Sequence, residues 1–174
     1  PFFGCLEHIR TLRIDSPSLF FSGSLIMNPA SRQIIFEAPL DPSAAEAVAA
    51  SAHDSDLYCE LYSSEGFFVE RPCRSIADMH YGYLKKYPET DTLEKIVGSE
   101  QILKLVVIST SQEESVRLSA LAARFPELCC VISTGPCHPD VKFLNITSKE
   151  GSRENAFRIM TKHFSASPEE IASF

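Results

Sequence analysis

Residues 147–164 have the sequence TSKEGSRENAFRIMTKHF, which predicts one amphipathic helix with an unusual first turn. Ser152 is a favourable N-cap residue. The apolar residues recur at intervals of four along one face: Ala156, Met160 and Phe164, with Phe157 beside them. Arg153 falls in the first turn, where the positive end of the helix dipole disfavours a cation. Either this arginine is an ordinary solvated residue, or it and the helix N-terminus together hold an anion such as a phosphate.

The composition is that of an ordinary globular protein. The 174 residues are 44% hydrophobic and 22% charged, enough to bury one large core or two small ones. The formal net charge of -7, with no run of lysine or arginine, argues against a nucleic-acid partner. No apolar run approaches the roughly 20 residues of a membrane helix. We see no signal peptide and expect a cytoplasmic protein; because the chain begins with Pro1, we expect it to be processed or cut from something longer.

The cysteines do not predict a metal site or a disulfide framework. Six are present, none in a C-x-x-C spacing, and several fall in apolar runs where cysteine acts as a small hydrophobe. Cys137 and His138 form the one adjacent pair that resembles a ligand set or a nucleophile with its base. Prolines on both sides of this pair favour a turn instead.

The order of the predicted elements divides the chain. Between residues 40 and 147, hairpins alternate with helices, which predicts an α+β unit built on an antiparallel sheet. Its helices are expected at 41–53, 75–87, 91–97 and 111–125, and its strands at 57–62, 67–70, 102–109, 128–133 and 141–147. The two ends add a helix at 4–13, a strand at 18–21, a hairpin at 25–36 and the helix after Ser152. These end elements lack enough partners for a sheet of their own.

Short motifs at both ends resemble those of one family. Residues 146–157, ITSKEGSRENAF, resemble a GVSKGxAL segment that opens a helix, and residues 167–174, SPEEIASF, resemble the SPEEVIAF segment that follows it. Near the N-terminus, FFSGSLI at 20–26 resembles IxxNGAxI, and FEAPL at 36–40 resembles YExPL. In order and spacing, the whole chain is similar to the Cof-type (subfamily IIB) hydrolases of the haloacid dehalogenase (HAD) superfamily.

This resemblance implies an α/β fold in which a partial HAD-like, Rossmann-like core is interrupted by an α+β cap domain. The cap would comprise residues 40–147, with an antiparallel sheet that carries helices on one face. The core would comprise residues 1–39 and 148–174. Cap and core would clamp a small phosphorylated metabolite between them. Most members of the family are magnesium-dependent phosphatases that form an aspartyl-phosphate.

The resemblance also assigns candidate site residues. Arg153 stands where the family usually has a lysine that contacts the phosphoryl group, and Lys149 would take this role if the register were shifted. Ser22 and Gly23 stand at the family's Asn-Gly turn and are candidates for substrate binding. Within the cap, four residues are candidates for substrate specificity: Arg71, Arg74, His80 and Tyr83.

Two catalytic motifs of the family have no counterpart in this sequence. They are the Asp-x-Asp motif of the nucleophile and the Gly-Asp…Asn-Asp motif of the metal site. We therefore expect that Mg2+ binds in the full-length protein, that no motif of this chain binds it, and that the chain alone is inactive. Two other interpretations stay open: a non-catalytic small-molecule-binding or interaction module derived from such a cap, and an unrelated α+β ligand-binding domain. An incomplete core would also expose edges through which the chain could form a homodimer.

Overall fold

The computed structural model describes residues 1–135 and 138–170, which form two sheets. Cys137, one half of the candidate pair noted above, lies outside the described residues, as does the strand start predicted after residue 170. Among the residues described, no helix is long and apolar enough to span a membrane.

Six helices and nine strands make up the described part of the chain. The helices are α1 (Leu6–Leu12), α2 (Pro42–Asp54), α3 (Arg74–Leu84), α4 (Leu93–Ser99), α5 (Gln112–Ala123) and α6 (Arg153–Phe164). The strands are β1 (Ser18–Phe20), β2 (Leu25–Met27), β3 (Ile34–Glu37), β4 (Tyr58–Tyr62), β5 (Phe67–Val69), β6 (Glu89–Thr90), β7 (Lys104–Ser109), β8 (Cys129–Gly135) and β9 (His138–Thr147). Short 3-10 turns cover Phe3–Cys5, Phe21–Gly23 and Pro168–Glu170.

The helix starts follow local capping signals in the sequence. The carboxylate of Asp41 accepts a hydrogen bond of 2.9 Å from the backbone N–H of Ser43 at the start of α2. Ser111 and Ser152 cap α5 and α6 in the same way, each accepting from the N–H three residues on. These contacts satisfy N–H groups that have no partner inside a helix. They confirm the N-cap predicted at Ser152 and the helix starts expected at residues 41 and 111.

Helix α3 is shorter than predicted. It ends at Leu84 because Lys85 adopts a left-handed conformation, with φ of 54°, and its N–H bonds the carbonyl of Tyr81. Such a residue is a common helix terminator. The helix therefore ends three residues before the predicted limit at residue 87.

The N-terminal segment forms a sheet of its own, contrary to expectation. Strands β1, β2 and β3 are joined in that order, and both pairs are antiparallel. The β2–β3 hairpin was predicted, and β1 joins it through the 3-10 turn at Phe21–Gly23. The parallel strands that a Rossmann-like core would contain are not found in this three-stranded sheet.

The larger sheet has six strands in the order β6-β5-β4-β7-β9-β8. Its pairs are antiparallel, as predicted, except for the parallel pair β5–β6. Strand β6 has only two residues, both exposed, and its sequence carries no alternating apolar pattern that could have predicted it. By contrast, β7 is buried along most of its length, as its apolar density indicated.

Helices lie on both faces of the six-stranded sheet. Helices α2, α4 and α5 bury one face, here called the helical face, around Leu61, Leu105 and Leu144. Helix α3 and the N-terminal segment pack on the opposite face, here called the cavity face, around Tyr62 and Val106. The prediction that helices cover one face only is therefore wrong for α3. The apolar periodicity of α3 shows that one face of the helix is buried, but it does not show on which face of the sheet the helix packs.

Helix α6 contacts the 3-10 turn at Phe21–Gly23 and strand β2. Of the apolar face predicted for this helix, Ala156 is fully buried, whereas Phe157 and Phe164 are each about half exposed. The periodicity correctly predicts the helix. It overstates how much of the apolar face is buried within the described residues.

Candidate functional site

The two ends of the chain meet at the first turn of α6. Gly23 has φ of +118°, and a Cβ atom there would lie 2.5 Å from the backbone oxygen of Ser152. Only glycine allows both this conformation and this approach. On the next residue of the turn, the hydroxyl of Ser24 donates a hydrogen bond of 3.5 Å to the carbonyl oxygen of Gly151. The turn therefore lies directly against the N-terminus of α6.

The turn itself is strained. Phe21 and Ser22 are consecutive residues in the left-handed region, with φ of 50° and 61°. For residues other than glycine, such conformations cost on the order of 1–3 kcal/mol each and persist where surrounding contacts hold them. They cluster at ligand-binding and active sites. The candidates Ser22, Gly23 and Arg153 are thus brought together in the structure, through a turn whose conformation is itself typical of such sites.

A cavity of about 220 Å3 opens on the cavity face, between α3 and strands β7–β9. Its wall includes two residues predicted from the sequence, His80 and Tyr83. The remaining wall combines apolar and polar side chains, among them Val106, Phe143, Lys104, Asn145, Ser133 and His138. A mostly apolar wall with a few polar groups is typical of small-molecule sites.

A buried polar network supports this wall. The carboxylate of Glu60 is fully buried; it accepts a hydrogen bond of 2.6 Å from the hydroxyl of Tyr62 and lies 2.9 Å from Nδ1 of His80. The ring of His80 stacks on Phe143, with centroids 5.6 Å apart. Burial, together with the neighbouring charge of Glu60, raises the pKa of Tyr62 well above its usual range. The network fixes the orientation of His80 at the cavity.

Lys104 contributes a cationic side chain to the wall of the cavity. Burial and the nearby positive charge of Arg153 lower the pKa of Lys104 to about 8, against the opposing effect of Glu60. The guanidinium of Arg153 is therefore close enough to Lys104 for their charges to interact. This coupling links the cavity to the first turn of α6, where Ser22 and Gly23 also lie.

The other predicted residues lie away from this region. Arg71 contacts His53 and lines a small cleft beside α2 on the helical face. Arg74 is exposed, bonds Asp78 at 2.9 Å and lies over the ring of Tyr87. Lys149 is exposed in the turn that precedes α6. The structure does not bring these three cations to the cavity.

Sequence reasoning missed Lys104 and Glu60. Each interrupts an otherwise apolar strand, at 102–109 and 57–62 respectively, and charged residues are seldom fully buried unless they are paired or functional. A charged residue inside a buried strand was the signal that could have found both.

The described residues do not offer a magnesium site. Among them, no group of three or more His, Cys, Asp or Glu side chains is placed to hold a metal ion. Mg2+ prefers oxygen ligands in octahedral geometry. Glu60, the carboxylate nearest the cavity, is already bound by Tyr62 and His80.

The family of the chain follows from its sequence. The family model of haloacid dehalogenase-like hydrolases matches residues 1–174, that is, all of it. The chain belongs to this family. The resemblance to the hydrolases of the haloacid dehalogenase superfamily is confirmed.

Solved structures agree in fold. A haloacid dehalogenase-like hydrolase from Bacteroides thetaiotaomicron superposes with a TM-score of 0.78 at 15% identity, covering 98% of this chain and 63% of that protein. A sugar phosphatase of HAD subclass IIB gives 0.71 at 17% identity, covering 95% and 59%. A protein from Thermotoga maritima gives 0.74 at 18% identity, covering 94% and 59%.

This chain of the HAD family spans about 60% of the length of these three proteins. The likeness shows a shared fold over that part. No curated protein sequence matches the chain significantly.

Proposed function

We propose that this chain is the cap and part of the core of a magnesium-dependent phosphatase that hydrolyses small phosphorylated metabolites through an aspartyl-phosphate. Membership of the HAD-like hydrolases supports the reaction class. The sugar phosphatase of subclass IIB, similar in fold, supports the size and chemistry of the substrate. In this proposal residues 40–147 form the cap, and the flanking residues belong to the core.

The contact between the Ser22–Gly23 turn and the first turn of α6 carries the proposal. Its support is that Arg153 begins a helix, at the positive end of the dipole, with its charge close enough to Lys104 of the cavity wall for the two to interact. A guanidinium at a helix N-terminus provides a planar set of donors for a phosphate, which the dipole also attracts. The unfavourable placement of this arginine, noted in the sequence, is thereby explained by an anionic ligand.

The residues of this chain bind and position the substrate in this proposal. Arg153 stabilises the negative charge on the oxygens of the phosphoryl group in the transition state. The wall of the cavity, with His80 held by Glu60, receives the remainder of the substrate and excludes water from it. The aspartate nucleophile, the acid/base and the carboxylates for Mg2+ come from the rest of the protein, where the metal supplies charge neutralisation when bound.

Replacement of Arg153 in the full-length protein tests the proposal. We expect R153A to lower kcat/KM for phosphate monoesters by about 100- to 1000-fold, the usual loss when one charge-stabilising donor is removed from an active site. R153K should recover part of this loss because it keeps the charge without the planar fork. The matched control is R158A, which removes an arginine of the same helix; this arginine lies one turn after Arg153 and donates a hydrogen bond to the side-chain oxygen of Asn155.

Thermal melting of each variant separates loss of catalysis from loss of folding. Equal activity of R153A and the unmodified protein would contradict the role of Arg153. If the full-length protein with Mg2+ hydrolyses no phosphate ester but binds inorganic phosphate, the non-catalytic binding module is the better description.

A further inference from the structure

Lys104 lacks a counterion. It lies on β7 near the middle of the six-stranded sheet, and its side chain lines the cavity. Within residues 1–135 and 138–170, its ammonium group has no hydrogen-bond or ion-pair partner. A largely buried cation without a paired anion is energetically unfavourable.

Glu60 does not compensate for this charge. Its carboxylate oxygens are within hydrogen-bond distance of Tyr62 and His80. Its attraction for Lys104 is outweighed by burial and by the repulsion from Arg153, because the pKa of Lys104 falls. An anion in the cavity would remove this imbalance.

A comparison of the cations near the cavity indicates whether this anion is the phosphoryl group of the substrate or a second acidic group. In the proposed function, the phosphoryl group is neutralised by Arg153, by the N-terminus of α6 and by the metal of the full-length protein. Lys104 lies on a different element, β7, and lines the cavity, whereas no residue of α6 does. Its charge is not used to neutralise the phosphoryl group in that proposal. A ligand that satisfies both cations needs negative charge in two places.

We propose that Lys104 binds a second acidic group of the substrate, so that the phosphatase prefers phosphate esters that also carry a carboxylate or a second phosphate. This inference rests on the proposed function. The cavity of about 220 Å3 has room for roughly seven water molecules, which fits the carbon skeleton of a small metabolite. The apolar wall at Val106 and Phe143 excludes water from the ion pair and strengthens it.

Pairs of substrates that differ in the second acidic group test the inference. With the full-length protein and Mg2+, kcat/KM is measured for 3-phosphoglycerate against glycerol 3-phosphate, and for fructose 1,6-bisphosphate against fructose 6-phosphate. The first pair tests a carboxylate and the second a phosphate. We expect a ratio above one in at least one pair, and a fall of that ratio by 10-fold or more in K104M.

Two further variants complete the experiment. K104R should keep most of the ratio because it keeps the charge. K95M should leave the ratio unchanged, because Lys95 is exposed and paired with Asp91 on the surface. Thermal melting confirms that each variant is folded.

The outcomes separate the two proposals. If the protein hydrolyses these esters but K104M lowers both members of a pair equally, Lys104 contacts the phosphoryl group or a hydroxyl, and the second acidic group is wrong. If the unmodified protein shows no preference for the member with the second acidic group in either pair, the inference is overturned as well. If no ester is hydrolysed by the folded protein, the proposed function itself fails, and the inference fails with it.

Discussion

The two faces of the six-stranded sheet differ in chemistry although both are buried. On β7, Leu105 and Val107 belong to the apolar cluster of the helical face, and neither is exposed. Their neighbours Lys104 and Val106 line the cavity on the other face. Because side chains alternate along a strand, a single segment supplies both surfaces.

The two faces therefore contribute differently to the stability of the protein. The helical face buries aliphatic side chains from three helices, which contributes favourable free energy at every contact. The cavity face holds a buried carboxylate that Tyr62 and His80 satisfy, and a cation for which the described residues supply no paired anion. The unpaired cation is costly in the absence of a ligand. Residues held at a cost to stability are typical of binding sites.

The largest effect on stability is expected on the helical face. Leu105→Ala removes a fully buried side chain and leaves a cavity among α2, α5 and β9. The free energy of unfolding should fall by about 3 kcal/mol, measured by urea denaturation. A loss below about 1 kcal/mol would show that this face is loosely packed and would weaken the contrast between the two faces.

A smaller loss is expected from the network on the cavity face. Glu60→Ala leaves the hydroxyl of Tyr62 and the ring of His80 without their buried partner. The free energy of unfolding should fall by about 2 kcal/mol, the usual range for buried polar groups left unsatisfied. Glu46→Ala, at an exposed position of α2, is the control and should change the free energy little. Equal values for both variants would exclude a structural role for the network.

The smallest effect has the opposite sign. Because the pKa of Lys104 is lowered to about 8 in the folded state, the unfolded state binds more protons between pH 8 and the ordinary pKa of 10.5. Protonated Lys104 therefore destabilises the fold at pH 7, and this penalty is lost as the pH rises through that window. Lys104→Met should stabilise the protein at pH 7 by on the order of 1 kcal/mol.

The pH dependence supplies the check on this prediction. The difference in free energy of unfolding between K104M and the unmodified protein should shrink as the pH is raised from 7 to 10. Urea titrations at several pH values measure it, with K95M as the control that shows no such trend. A difference that does not change with pH would mean that Lys104 is well solvated.

Much of the fold could be predicted because its signals are local. Asp41 followed by Pro42, and the serines at 111 and 152, each specify a helix start within a few residues, and all three were identified correctly. The side of the sheet on which α3 lies, and the pairing of β6, depend on contacts far apart in sequence. No local pattern in residues 74–90 encodes them.

The candidate site was predicted in part. The resemblance to a family identified Ser22, Gly23 and Arg153, and the structure shows the first two against the helix that the third begins. Arg71 and Arg74 were candidates because caps of this family supply specificity residues, and the structure places them on surfaces away from the cavity. Lys104 was not identified because residues 102–109 were judged by their overall hydrophobicity, in which one charged residue carries little weight.

The hydroxyl of Ser148 donates a hydrogen bond of 3.2 Å to the carbonyl oxygen of Ala38, across 110 positions of the chain. The chain thus leaves and returns at one point, close to the predicted boundaries of the cap. The entropic cost of closing a loop rises only slowly with its length. Residues 39–147 can therefore be regarded as one long insertion between the two flanking segments. Such a unit can be exchanged for one of another size while the two positions that anchor it stay the same, so this hydrogen bond marks a suitable junction for building hybrid proteins.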